Sequence, residues 1–145
     1  MTTDPARLLT AVAYIKTRFN INPRRVILGG YSSGGDLAYR TMFYHANAFA
    51  GCLIENSSPF RDTESTPAQS FAANAGGWRF NVIHLAHLQD EVYPIDGVRL
   101  ETDAMISAGY PLVRIERTGT HYDSGTNDDL RALLLPHLND AWLSP

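Results

Sequence analysis

The chain is 145 residues long with 44% hydrophobic, 10% aromatic and 19% charged side chains, a balance that fits one compact domain over residues 1–145 and excludes a disordered or fibrous chain. Its formal charge is -3, and all but one of the twelve basic residues are Arg, scattered rather than clustered, which excludes a nucleic-acid partner. No run reaches the roughly eighteen apolar residues of a membrane span, 1–9 lacks the basic-then-apolar order of a secretory leader, and the single cysteine, Cys52, excludes an internal disulfide.

Asp4-Pro5 reads as a cap followed by proline at the first helical position. Leu8, Leu9, Val12, Ile15 and Phe19 then recur at helical spacing, so the chain opens on an amphipathic helix. After a turn over 20–23, residues 24–30 hold the apolar run Val26-Ile27-Leu28 ending in glycines, the pattern of a strand buried on both faces. Residues 34–47 read as a helix and 49–56 as a second buried strand in which Cys52 is a small apolar filler. From 57 to 79 the chain is polar and punctuated by Pro59, Pro67, Gly76 and Gly77, and only 66–75 could hold a short helix. Strand 80–86, helix 94–108, strand 111–116 and a closing helix over 128–142 complete the series.

Strands alternating with helices of this length require crossover connections, because parallel strands cannot be joined by a tight hairpin. The fold class is therefore α/β: a mainly parallel four-stranded sheet with flanking helices. Sheets of this kind carry their chemistry at the carboxyl ends of the strands.

After the first strand stands Gly30-Tyr31-Ser32-Ser33-Gly34, a G-x-S-x-G in a strand-to-helix context. The motif's physics requires Ser32 at a sharp, strained turn that projects its hydroxyl from the sheet edge. Small residues two positions before and after it, with further room at Gly35, let strand and helix approach. Ser33 is the weaker nucleophile, since Tyr31 rather than glycine precedes it by two. Dinucleotide and ATP loops are excluded: Tyr31 and Ser32 break G-x-G-x-x-G, and 29–35 lacks the phosphate-binding Lys.

A hydroxyl nucleophile needs a base to take its proton and a carboxylate to orient that base, at later strand ends. Asp90, after the third strand, is the expected acid, and His121, after the fourth, the expected base. Glu55, after the second strand, is the rival acid. His45, His84 and His137 fall on helices or inside a strand and read as structural, whereas His87 could line the site. Glu91 and Asp123 read as loop charges or caps. The main-chain N–H of Ser33 is the expected first oxyanion donor. Tyr31, Tyr122, Phe60 and Trp78 are the aromatics placed to border a substrate, with Tyr31 and Tyr122 closest to the proposed nucleophile and base.

Together these residues resemble the α/β-hydrolase fold. The run Gly30-Tyr31-Ser32-Ser33-Gly34-Gly35-Asp36 is similar to the esterase branch that includes polyhydroxybutyrate depolymerase-like and feruloyl-esterase-like enzymes. Phe49-Ala50-Gly51 and the loops of Asp90 and His121 are similar to the same branch. The resemblance implies that Ser32, Asp90 and His121 are nucleophile, acid and base of carboxylic-ester hydrolysis through an acyl-enzyme, on a small-molecule or polymeric ester, with no metal or cofactor. It also implies about four strands and an oxyanion loop ahead of the nucleophile strand, where this sequence has one helix. The chain therefore matches the C-terminal half of such a domain. A half sheet leaves the first strand with an open edge, so we expect a homo-oligomer or association with the missing N-terminal half. The competing reading is a half-domain without catalysis of its own that associates with another chain.

Overall fold

A computed structural model describes residues 3–22, 25–59, 79–129 and 131–132. Helix α1 (Thr3–Arg18) leads to strand β1 (Ile27–Tyr31), helix α2 (Ser33–His45), a 3-10 turn (Ala46–Ala48) and strand β2 (Gly51–Glu55); strand β3 (Asn81–His87), helix α3 (Ile95–Ser107) and strand β4 (Leu112–Arg117) follow. Residues 127–129 and 131–132 are helical, at the start of the expected closing helix. The rest of that helix, the expected short helix over 66–75, and Phe60, Trp78 and His137 lie outside the described residues.

The four strands form one sheet in the order β1-β2-β3-β4, every neighbouring pair parallel. Leu28, Cys52, Val82 and Leu112 align across it in one register row. Onto that row pack Ala38, Tyr39, Met42 and Phe43 of α2 and Met105 of α3, so both helices cover the same face. Phe43, Phe80 and Tyr110 meet edge to face at one end of this core, with ring centroids 5.0 to 6.1 Å apart. Cys52 is buried there as the apolar filler expected, and burial pushes its thiol pKa up. On the same face Arg99 of α3 grips Glu116 of β4 with two hydrogen bonds of 2.9 and 2.6 Å.

Most boundaries shift by one to three residues from those expected, and three of the shifts have a plain physical cause. β1 runs through its glycines to Tyr31, because the ladder to β2 continues as far as Tyr31 opposite Glu55. β2 starts at Gly51 rather than 49, since the Phe49 N–H is used to close the 3-10 turn on the Ala46 carbonyl (3.2 Å). α1 starts at Thr3, so Pro5 falls inside its first turn, where a missing N–H leaves no intrahelical bond unmade. Its apolar stripe is only partly used: Leu8, Leu9 and Val12 pack on the core, whereas Ile15 and Phe19 are exposed. No helix among the described residues is long and apolar enough to cross a membrane.

Candidate active site

The parallel ladder continues one residue past β1, with the Ser32 N–H donating to the Glu55 carbonyl (3.0 Å). The Ser32 carbonyl already accepts from the N–H groups of Gly35 (2.8 Å) and Asp36 (3.2 Å) in the first turn of α2. One residue is thus both the last of a strand and the cap of a helix, and its backbone is forced to φ 54, ψ -129. A non-glycine residue in such a region costs about 1–3 kcal/mol and persists only where its surroundings over-determine it. Close packing supplies that determination. A Cβ on Gly30 would collide with the Gly34 carbonyl and lie 2.6 Å from the Gly35 nitrogen, and one on Gly35 would lie 2.5 Å from the Ser57 Cβ and 3.0 Å from Ile54 Cγ2. Gly34, expected to provide room, meets nothing within 4 Å; the second constrained glycine is Gly35, because it is the one that faces β2.

His121 lies in a turn after β4, buried beside the elbow. Its Nε2 is 3.0 Å from Ser32 Oγ, and its Nδ1 is 2.9 and 3.1 Å from the two carboxylate oxygens of Asp90. An ionised carboxylate only accepts, so Nδ1 carries the ring proton and the Nε2 lone pair faces the serine hydroxyl. Asp90 is itself fixed: its Oδ1 accepts the N–H groups of Val92 and Tyr93, both at 2.8 Å, in the bend that leads to α3. Tyr93 stacks on the His121 ring, centroids 5.7 Å apart and planes 20° apart, while its hydroxyl donates to Asp36 Oδ2 (2.7 Å). Asp36, buried in the first turn of α2, also accepts from the Ser57 hydroxyl at 2.5 Å. Helix α2 and the His121 ring are thereby joined through Tyr93.

The structure thus brings Ser32, Asp90 and His121 into one hydrogen-bonded chain. Glu55 is not part of it: its carboxylate accepts the Gly125 N–H (2.8 Å) and pins the segment after His121. Ser33 is the first residue of α2, so its N–H has no use within the helix and lies beside the serine. Tyr31 and Tyr122 both contact the His121 ring, at centroid distances of 5.4 and 5.7 Å. Tyr122 is 81% exposed, whereas the Tyr31 hydroxyl is engaged, donating to the His121 carbonyl. Asp123 acts as a cap, accepting from the Thr120 N–H and hydroxyl, and the first of these bonds is the main cause of its lowered pKa.

Of the histidines read as structural, His84 sits in the middle of β3 with Nδ1 2.7 Å from the Tyr39 hydroxyl. His87 is buried at the end of β3 and bonds Asn56. Asn56 and Tyr93 were not singled out in the sequence, and Asp36 entered only as the end of the run Gly30 to Asp36, without a role. Asn56 directly follows a strand, as Asp90 nearly does, and that position was the one available signal. Among the described residues no group of three or more His, Cys, Asp or Glu side chains is arranged to hold a metal ion.

No protein-family model and no curated protein matches the sequence. Solved structures do match. The crystal structure of esterase PE8 superposes with TM-score 0.70 at 18% identity, over 92% of this chain and 58% of that one. The Bacillus cereus carboxylesterase gives TM-score 0.67 at 14% identity, over 94% and 59%. The fold is α/β-hydrolase-like. The same fold extends to the Porphyromonas gingivalis dipeptidyl peptidase 4, with TM-score 0.68 at 17% identity over 94% of this chain and 22% of that one. The chain spans a little under three fifths of the length of the two esterases it matches.

Proposed function

We propose that this chain carries the catalytic residues of a serine hydrolase that cleaves carboxylic esters. The observation that supports the reading most directly is the hydrogen-bonded series Ser32 Oγ, His121, Asp90, standing at a strained strand-to-helix turn. In this mechanism Ser32 Oγ attacks the ester carbonyl carbon while its proton passes to His121 Nε2. The tetrahedral oxyanion is held by the Ser33 N–H, and collapse expels the alcohol, which takes the proton from His121. Water then attacks the acyl-enzyme with His121 as base again, releasing the acid and restoring the serine. Asp90 stays ionised throughout and stabilises the imidazolium. Tyr31 and Tyr122 border the position of the substrate.

The run Gly30 to Asp36 favours the polyhydroxybutyrate depolymerase-like and feruloyl-esterase-like branch over other hydrolases of this fold. The test is the time course of p-nitrophenyl ester hydrolysis by the purified chain beside matched thioester and anilide substrates. We expect a burst of about one equivalent of p-nitrophenolate, absent in Ser32→Ala, with the anilide untouched. Hydrolysis that persists in Ser32→Ala would overturn the reading.

A second reading is favoured by the sheet edge. Among the described residues β1 has β2 as its only strand partner, and the esterases matched are longer by about two fifths of their length. We propose that this edge associates, with a second copy or with a complementary half. A half-domain lacking one oxyanion donor would turn over about 10²–10³ more slowly than a complete one.

A further inference from the structure

The proton relay asks two distances of His121 at once, to Ser32 and to Asp90, yet the residue lies in a turn outside any regular element. A misplacement of about 1 Å in such an arrangement can cost about a hundredfold in rate. Asp90 and the Tyr93 ring fix the imidazole; the main chain that carries it is held by something else. Both acceptor positions of the His121 carbonyl are taken, one by the Tyr31 hydroxyl and one by Asn56 Nδ2 at 2.9 Å. The same Nδ2 donates its other hydrogen to the carbonyl of Asp123 at 2.7 Å. One carboxamide therefore closes the turn across two carbonyls two residues apart.

The chemistry leaves that amide a single orientation. With two carbonyl oxygens on one side, the Asn56 side chain must present its NH₂ there, since the flipped amide would set three oxygens together. Oδ1 then faces His87 Nδ1 at 2.7 Å, so His87 carries its proton on Nδ1 and donates it. Asn56 is buried, and its own N–H extends the ladder to the Leu85 carbonyl (3.0 Å). Its backbone stands at φ 48, a left-handed conformation that asparagine tolerates better than most residues with a Cβ. The requirement at this position is thus double: a side chain with two parallel donors and one acceptor, on a backbone of positive φ.

We infer that Asn56, oriented by His87, is the positioning residue that sets the His121 main chain in register for proton transfer between Ser32 and Asp90, with Tyr31 as the second hold on the same carbonyl. Residues from four strand ends then form one connected set: Tyr31, closing β1, and Asn56, after β2, meet the carbonyl of His121, after β4, and His87, closing β3, bonds Asn56. The inference rests on the hydrolase reading only in giving His121 a reaction to serve.

The test pairs Asn56→Gly with Tyr31→Phe. Glycine suits a positive φ, so the first variant removes the carboxamide without straining the backbone; the second removes only the hydroxyl of a partly exposed side chain and leaves the ring. The readout is the resonance of the proton shared between His121 Nδ1 and Asp90 in a ¹⁵N-labelled chain, together with the rate of phosphonylation of Ser32 by a fluorophosphonate. We expect the resonance in the wild type. In Asn56→Gly we expect it broadened or lost while unfolding stays cooperative, with the rate lower by about a hundredfold. Tyr31→Phe should move both in the same direction by less. Should Asn56→Gly fail to fold, Tyr31→Phe decides. Absence of the resonance in the wild type, or an unchanged resonance in the deciding variant, overturns the inference. A wild type that shows the resonance but is never labelled at Ser32 overturns the hydrolase reading instead, and the resonance still judges Asn56.

Discussion

At the elbow two glycines separated by five positions carry the geometry. Gly30 lets the strand pass under the first turn of α2, and Gly35 lets that turn settle against Ser57 and Ile54 of the neighbouring segment. Adding a methyl group at Gly35 should overpack this contact and cost about 1–3 kcal/mol. The same change at Gly34, where a Cβ meets nothing, should be neutral or stabilising by up to about 1 kcal/mol, because alanine loses less backbone entropy in a helix. Urea denaturation of Gly34→Ala and Gly35→Ala measures the contrast, and equal losses in both would refute the account of the turn. At the acid, Asp90→Asn keeps a similar shape but no longer favours the proton on His121 Nδ1. It should reduce ester turnover by about four orders of magnitude with little change in unfolding midpoint. Ser32, Asp90 and His121 could be singled out in the sequence because each stands after an apolar run that reads as a strand; of the three strands only β3 is buried along its length, whereas β1 and β4 are largely half-buried or exposed. The roles of Asn56, Tyr93 and Asp36 could not be, since they depend on which loops the sheet order brings together, and no local pattern of residues encodes that.

The strands were readable from short apolar runs, yet their ends were decided by ladder pairing rather than composition. β1 outran its glycines because Tyr31 still pairs with Glu55, and Phe49 fell outside β2 because a 3-10 turn claimed its N–H. β3, buried along its whole length, holds an unusual passenger in His84. Burial strips water from its charged form, and Arg114 on the adjacent β4 disfavours a second positive charge. The pKa is lowered to about 3, the Ser57 main chain offsetting part of the shift. Tyr39 of α2 faces its Nδ1. Between about pH 3 and 6.5 the unfolded chain takes up a proton that folded His84 refuses, so the contribution of this residue is fully present above pH 6.5. It falls as the pH drops below that value, by up to about 1.4 kcal/mol per unit. Denaturant unfolding of the wild type between pH 7.5 and about 5 should show this loss, and His84→Gln should show a shallower slope. Identical slopes would mean that other groups dominate the acid limb.

On the scale of the whole molecule, α2 and α3 stack on one face of the sheet, and β1 lies at an edge without a second strand among the described residues. Exposed Ile15 of α1 and Phe19 just beyond it add apolar surface. Open edges of this kind template pairing with another chain unless a charge or bulge interrupts them. Light scattering at micromolar concentration should return a mass above that of one chain, and Gly29→Lys on β1 should lower it; a strict monomer would refute association through this edge. The α/β class and a mainly parallel sheet were legible from helix-length spacers between apolar runs, whereas the order β1-β2-β3-β4 with every pair parallel emerges only from the ladder.

If Ser32 is a nucleophile activated by His121 and Asp90, it reacts covalently with an electrophilic probe. The purified chain is treated with a fluorophosphonate probe beside Ser32→Ala, and the adduct is located by peptide mass spectrometry. One adduct is expected, on Ser32, and it is lost in the variant. A well-folded chain that remains unlabelled, or an adduct on another residue, would contradict it.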